Sequence, residues 1–484
     1  MGVLSELAPA KVFQFFEEIC GIPHGSGNTK KISDYIVEFA KERKLRYIQD
    51  EYNNVIVFKD GSSGYENSEP VIVQGHMDMV CEKDGDCKID FDTEGLRLVL
   101  EDGVISADGT TLGGDDGIAV AMALALLDSK DIAHPPLECV FTVDEEIGML
   151  GAAAIDCSSL KGHRMLNLDS EEEGHLLVSC AGGVCATCHI PVEYEKCDSS
   201  FDTFVLSIEG LTGGHSGVEI IRQRANANKQ LARVLYNIGR DMSYKLVSVR
   251  GGLKDNAIPI KSEAVLCIND ENADNIFEFV EKQENILRHE FQSTDPDMRI
   301  CIKRVEKGCA IVMTEASKGK VLSSLVAMPN GVIRMSNDID GLVQTSLNLG
   351  ILETDGKEVT ASFSVRSSIQ SEKEYITERL CAIANLCGGR VDVQGDYPAW
   401  EYKKDSPLRE LMIEVFKEQY GYEPVIEAIH AGVECGLFAG KIDNLDCVSF
   451  GPDMKAIHTS RESMDAFSVQ RTWEYVLRIL EKLK

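Results

Sequence analysis

The sequence predicts an α/β protein: a mostly parallel sheet covered by helices, in a domain split by an inserted α+β domain. Three observations carry that reading. Up to about residue 184, helical patterns at 9–20, 30–44 and 117–130 alternate with apolar runs of strand character at 71–73, 137–143 and 165–168, as in a parallel sheet with covering helices. The pattern resumes late, where Ser406 can cap a helix with Pro407 at its first position, running to about 420, before a strand at 447–450 and a last helix from about 468. Between these parts, 187–397 has strands and helices of its own at 204–208, 226–238, 273–289 and 371–387. The expected domains are 1–186 with 398–484, and the insert 187–397.

Chemistry-bearing residues fall at the strand ends. They are His76 and Asp78 in VIVQGHMDMV, Asp115 in LGGDDGIAV, Glu145 and Glu146 in FTVDEEIGML, Asp169 in MLNLDSEEEG, and His458 in KAIHTSRESMD. Three of the five pieces directly follow an apolar run, so their polar groups should emerge at the carboxyl edge of one sheet, where open α/β sheets place ligands. His458 belongs to the late segment and the others to the early one, so the two segments must pack together.

Two imidazoles with three carboxylates suit zinc, with manganese or cobalt as alternatives, and one carboxylate can bridge two ions about 3.5–4 Å apart. Asp115 is the best bridging candidate, because it follows Gly113 and Gly114 and opens an apolar helix whose positive end favours an anion. Asp78 lies two residues beyond His76, on the same side of an extended strand, where a carboxylate can fix the ligating tautomer. Consecutive side chains at a strand end point opposite ways, so one of Glu145 and Glu146 can bind metal while the other accepts a proton from water. Alone, each fragment reads as a turn or a solvated face. Their joint occurrence in this order points to a metal centre.

The order HxD, GGDDG, EE, LD and a late His resembles the co-catalytic di-zinc metallopeptidase superfamily that includes carboxypeptidase G, aminoacylase, peptidase T and bacterial dipeptidases. GHMDMVCEK, ADGTTLGGDDGIAVA, DEEIGMLGA, LNLDSEEEG and GLTGGHSGVEI are similar to its aminoacyl-histidine (Xaa-His) dipeptidase branch, over nearly the whole chain. The resemblance implies a zinc-peptidase-like catalytic domain, with the insert as a lid and, in dimeric relatives, a homodimer interface. It implies two zinc ions bridged by Asp115, one completed by His76 and Asp169, the other by Glu146 and His458. Glu145 would be the general base and Asp78 the orienting carboxylate. GGDDG also offers Asp116, and the first acid is chosen because the family's bridging Asp is the first of its pair. After His458 the family has a small residue and a Pro, where this chain reads Thr459, Ser460, Arg461, Glu462.

The insert and the late segment add candidates. His215, in a glycine-flanked TGGHSG, reads by itself as an exposed turn histidine; the motif match makes it the lid histidine that polarises the scissile carbonyl. Arg366, by base rate a surface arginine, is by the same match the clamp for a terminal carboxylate. Asn256 and Asn337 are further polar candidates, and Glu434 in HAGVECGLF is similar to a family acid that holds the free amino group. The expected activity is metal-dependent hydrolysis of unblocked dipeptides, including Xaa-His dipeptides such as carnosine. A related aminoacylase or aminotripeptidase is the alternative within the class, and a non-catalytic metal or peptide binder the alternative outside it. Glu145 argues against the binder, which has no need of a free base.

Composition narrows the rest. At 484 residues, with 44% apolar and 26% charged content, the chain can bury two cores. A formal charge of −30 argues against nucleic-acid and anionic-membrane partners. No segment reaches the roughly 20 apolar residues of a membrane span, and MGVLSELAPAK lacks a secretion signal, so a cytoplasmic location is expected. The sixteen cysteines then read as reduced thiols, many on apolar elements such as Cys139, Cys267 and Cys447. Cys180, Cys185, Cys188 and His189 read as structural rather than as a metal cluster.

Overall fold

The computed structural model describes residues 2–198, 200–306 and 311–484. The chain forms two compact units, one of Met1–Ser179, Tyr402–Ala428 and Val433–Lys484, the other of Cys180–Glu401 and Ile429–Gly432. The short return Ile429–Gly432, which the sequence reading grouped with the late segment, goes with the insert.

In the first unit, a sheet of eight strands among the described residues runs in the order Arg46–Gln49, Val55–Lys59, Leu137–Thr142, Val71–His76, Arg164–Asn167, Asp446–Ser449, His175–Cys180, Val425–Ile429. Its four central strands, Leu137–Thr142 to Asp446–Ser449, are parallel, and antiparallel strands extend the flanks. Val71–His76 and Leu137–Thr142 are buried along their whole length, as a sheet covered on both faces requires. The register pairs His76 with Thr142 and Gln74 with Asn167, which brings three ligand-bearing strand ends level.

The helix Gly114–Asp128 has no polar face and is buried from Gly114 to Leu127. It lies so close to Val71–His76 that a Cβ on Gly75 would stand 2.6 Å from both Ala119 Cβ and Asp116 Oδ2. Glycine before His76 is therefore a packing requirement. Asp115 and Asp116 have non-helical backbone angles, so the regular helix begins near Gly117.

The late segment is joined to the early one by the strand Asp446–Ser449, which pairs in parallel with Arg164–Asn167, and by a small sheet around His458. Ser406 Oγ caps Pro407–Tyr420 by accepting from the Arg409 amide (3.1 Å) and donates to Asp446 Oδ1 (2.5 Å), on the adjoining strand. The strands Met454–Lys455 and Ser463–Asp465, which flank His458, join Val104–Ala107 and Leu98–Glu101 in a four-stranded sheet just upstream of the GGDDG loop.

The second unit is a large antiparallel sheet containing Gly182–Pro191, Val343–Thr354 and Glu358–Ser367, against which Ala227–Asp241, Asn275–Glu290, Glu315–Ala327 and Gln370–Leu386 pack around one apolar core. Cys185, Cys188 and His189 alternate along Gly182–Pro191, Cys188 inward and His189 against Glu358 and Asp392, so they converge on no common point. Fourteen described cysteines are free thiols, but Cys267 is disulfide-bonded, which corrects the reading of that residue as reduced.

Candidate active site

His76 ends its strand fully buried. Its Nδ1 lies 3.0 Å from the Asp78 backbone carbonyl and 3.5 Å from the Asp78 carboxylate. The tautomer is thus fixed by the carbonyl first, with the carboxylate beside it. Asp78 does a second job, accepting the amide N–H of Glu145 (3.0 Å), that of Glu146 (3.4 Å) and the Ser26 hydroxyl (2.8 Å), which holds the acidic turn in place. The other imidazole nitrogen, Nε2, faces Asp115 Oδ1 at 3.2 Å and Asp169 Oδ1 at 3.6 Å.

His458, at a left-handed φ of 58°, presents Nε2 to Asp115 Oδ2 at 3.1 Å and to Glu146 Oε1 at 2.8 Å. The two oxygens of Asp115 therefore face two different imidazoles, one from the strand Val71–His76 and one from the late hairpin. Asp115, Glu146 and His458 form one group able to hold a metal, and His76 forms others with Asp169 and Asp116 or with Glu145 and Glu146. Asp116 is drawn into the first by its position next to Asp115, yet its Oδ2 accepts the His76 amide N–H (3.1 Å) and it reaches only one of the two histidines.

The electrostatics fit a pair of cations. Burial would raise the Asp115 carboxyl, but His458 and His76 together hold it below the ordinary range. Hydrogen bonds to Asp115 and Glu146 push the His458 imidazole up to about 10. Burial pushes Glu145 up to about 9, against the pull of His76 and with Asp169, Glu434 and Glu146 adding to it, and burial raises Asp169 to about 6. So many carboxylates in a dry site demand positive charge, and hard donors with two imidazoles suit divalent ions. Glu145 has no hydrogen-bond partner for its carboxylate among the described residues.

Glu462 lies in the stretch after His458 where this chain departs from the family's pattern, and the sequence assigns it no role. Its buried carboxylate accepts from the amides of Leu112 (2.8 Å), Gly113 (3.1 Å), Gly114 (2.8 Å) and Asp115 (3.4 Å). Four convergent backbone N–H groups make an anion-binding nest. Gly113 has φ 65°, and a Cβ there would meet Met79 Sδ at 2.9 Å. The nest explains why glycines precede Asp115 and how the late hairpin is clamped to that loop. No spacing rule reveals it, because the partners are main-chain groups of a distant segment.

Glu434, the first residue of Glu434–Lys441, is wholly buried, with Oε2 accepting from Gln74 and Thr142 and Oε1 unpartnered.

In the second unit, His215 Nδ1 accepts the amides of Gly217 (3.2 Å) and Val218 (3.3 Å), which leaves Nε2–H as the donor. Burial and Arg366 lower its pKa, so the ring is neutral near pH 7. The Asn256 carbonyl accepts from the Ser216 amide (2.9 Å), and Asn256 and His215 line one cavity of about 1150 Å³. Arg366 is buried on Glu358–Ser367 and donates through Nη1 to the Tyr397 hydroxyl (2.9 Å), while its Nε has no partner. Among the described residues no carboxylate pairs with this guanidinium, an arrangement able to receive an anion. Asn337 stands exposed just beyond Gly331–Met335. His430, missed in the sequence, is buried nearby, its Nε2 2.7 Å from Ser346 Oγ.

An open α/β sheet carrying one carboxylate shared between two imidazoles, with a free glutamate beside it, defines a metal-dependent hydrolase. Residues 72–482 match peptidase family M20/M25/M40, and the chain belongs to that family. It is 34% identical over 483 residues to the cytosol non-specific dipeptidase of Escherichia coli, covering 100% of this chain and 99% of the relative. The crystal structure of aminoacylhistidine dipeptidase from Vibrio alginolyticus superposes with a TM-score of 0.93 at 36% identity, covering 99% of this chain and 97% of that one. Aminopeptidase PepT from Bacillus cereus shares the fold, with a TM-score of 0.56 at 16% identity and 99% of each chain covered. The chain is thus a metallopeptidase.

Proposed function

We propose that this chain hydrolyses unblocked dipeptides, Xaa-His dipeptides such as carnosine among them, with two bound divalent ions, zinc in the first place and manganese or cobalt as alternatives. The observation that carries the reading is Asp115, one oxygen on His76 and the other on His458. His76 and Asp169 would hold one ion, Glu146 and His458 the other. When bound, the ions lower the pKa of water and polarise the scissile carbonyl. Glu145 accepts the proton of the attacking water and delivers it to the leaving amine. Asp78 keeps His76 and the Glu145–Glu146 turn in register. His215 donates its Nε2–H to the developing oxyanion, and Arg366 receives the substrate's terminal carboxylate, with Asn256 beside His215.

The names of the full-length relatives support the substrate class, one as a non-specific dipeptidase and one as an aminoacylhistidine dipeptidase. The first is also called cytosolic, and no helix among the described residues is long and apolar enough to cross a membrane, which supports a cytoplasmic location. The insert is assigned as a lid and as the surface of a homodimer. A dipeptide panel on zinc-reconstituted protein tests the reading: free dipeptides should be cleaved and N-acetylated ones should not. Preferential cleavage of tripeptides or acyl-amino acids would assign it instead to the aminotripeptidase or aminoacylase activity.

A further inference from the structure

Beneath the metal centre lies a polar network where a parallel sheet normally carries aliphatic side chains. Glu434 Oε2 accepts from Gln74 Nε2 (2.5 Å) and Thr142 Oγ1 (2.7 Å), Gln74 Nε2 also reaches Thr142 Oγ1 (3.2 Å), and Gln74 Oε1 accepts from Asn167 Nδ2 (2.5 Å). All four residues are at most 1% exposed. Each of the three partners sits on a different strand, just before that strand delivers its functional residues. Gln74 precedes His76 by two, Asn167 precedes Asp169 by two, and Thr142 is the cross-strand partner of His76 and leads to Glu145 and Glu146. Residues two apart on a strand share a face, so Gln74 points the same way as His76.

We infer that Glu434 is a positioning residue that pins these three strand ends together and thereby sets the affinity of the metal centre. The inference rests on the metal-centre reading above. An acid suits the place because it opens Glu434–Lys441, where the helix dipole favours negative charge, and because one carboxylate oxygen can accept two donors at once. A role as anchor for the substrate's amino group, suggested by the sequence, would need a carboxylate reachable from solvent, whereas Glu434 is 0% exposed and committed to two strand side chains. Outer partners of metal ligands typically control affinity by about 10–100-fold.

The test is zinc affinity, measured by competition with a chromophoric chelator. Glu434→Leu should weaken zinc binding by about 10-fold or more, while Glu434→Gln, whose amide oxygen still accepts from Gln74 and Thr142, should stay within about threefold of the wild type. Should Glu434→Leu not fold, Thr142→Val removes one of the same bonds and should weaken zinc several-fold. Wild-type affinity in a folded Glu434→Leu or in Thr142→Val would overturn the inference. So would a Glu434→Gln protein whose only change, at saturating zinc, is a raised KM for free dipeptides. A wild-type protein that binds no divalent ion would instead remove the metal-centre reading itself.

Discussion

Replacing Glu462 tests whether the late hairpin is held to the Asp115 loop by the nest. In Glu462→Ala, four amides at 2.8, 3.1, 2.8 and 3.4 Å lose their acceptor. A buried hydrogen bond to a charged group contributes roughly 1.5–3 kcal/mol, and an orphaned buried donor costs about 1–3 kcal/mol. The full sum overstates the loss for two reasons. The 3.4 Å bond is weak, and burial with Asp115 nearby raises the Glu462 carboxyl, which offsets part of what the amides contribute. A net destabilisation of about 2–4 kcal/mol is expected, read as a lower urea midpoint at unchanged m-value. Because Asp115 and His458 flank the nest, zinc affinity should fall as well, by about 10-fold or more. A change under about 0.5 kcal/mol with wild-type zinc affinity would show that the nest holds nothing in place.

Three further outcomes follow from the site. Glu145→Gln should keep both ions and lower turnover about 100–10,000-fold, whereas Glu146→Gln should lose metal first; metal analysis showing the reverse would exchange their roles. Arg366→Ala should reduce kcat/KM for free dipeptides by several kcal/mol and much less for dipeptide amides, and equal loss on both would leave the arginine a structural part only. Burial, with Arg366 nearby, lowers the His430 imidazole to about 3, so between pH 6.5 and 3 the unfolded chain binds a proton the folded chain does not. Stability therefore falls with pH through that window, by about 1.2 kcal/mol from pH 7 to 5.5. Urea unfolding of wild type and His430→Gln at the two pH values measures this contribution, and equal pH dependence in both would refute it.

The parts of the site legible in the sequence are those where a periodic apolar run stops at a polar side chain. The runs before His76, Glu145 and Asp169 are strands Val71–His76, Leu137–Thr142 and Arg164–Asn167, and the Ser406–Pro407 signal opens a helix as expected. The last strand is shifted by one residue, Asp446–Ser449 rather than 447–450, because Asp446, polar in sequence, is buried as the partner of the Ser406 cap. Glu462, Ser26 and His430 were illegible for a different reason. Each acts through main-chain amides or a hydroxyl contributed by a remote segment, and such pairings leave no period. Glu434 was visible as an acid, but its partners Gln74, Thr142 and Asn167 lie inside runs that read simply as buried strand. Asn337, a polar candidate in the sequence, lies exposed on the surface of the chain.

The claim that Asp115 is shared by two ions is tested most directly by metal stoichiometry. Protein stripped with a chelator and titrated with zinc should take up about two ions per chain, and Asp115→Ala, which removes both bridging oxygens, should bind neither tightly, while Asp116→Asn retains both. One ion per wild-type chain, or two tight ions in Asp115→Ala, would contradict it.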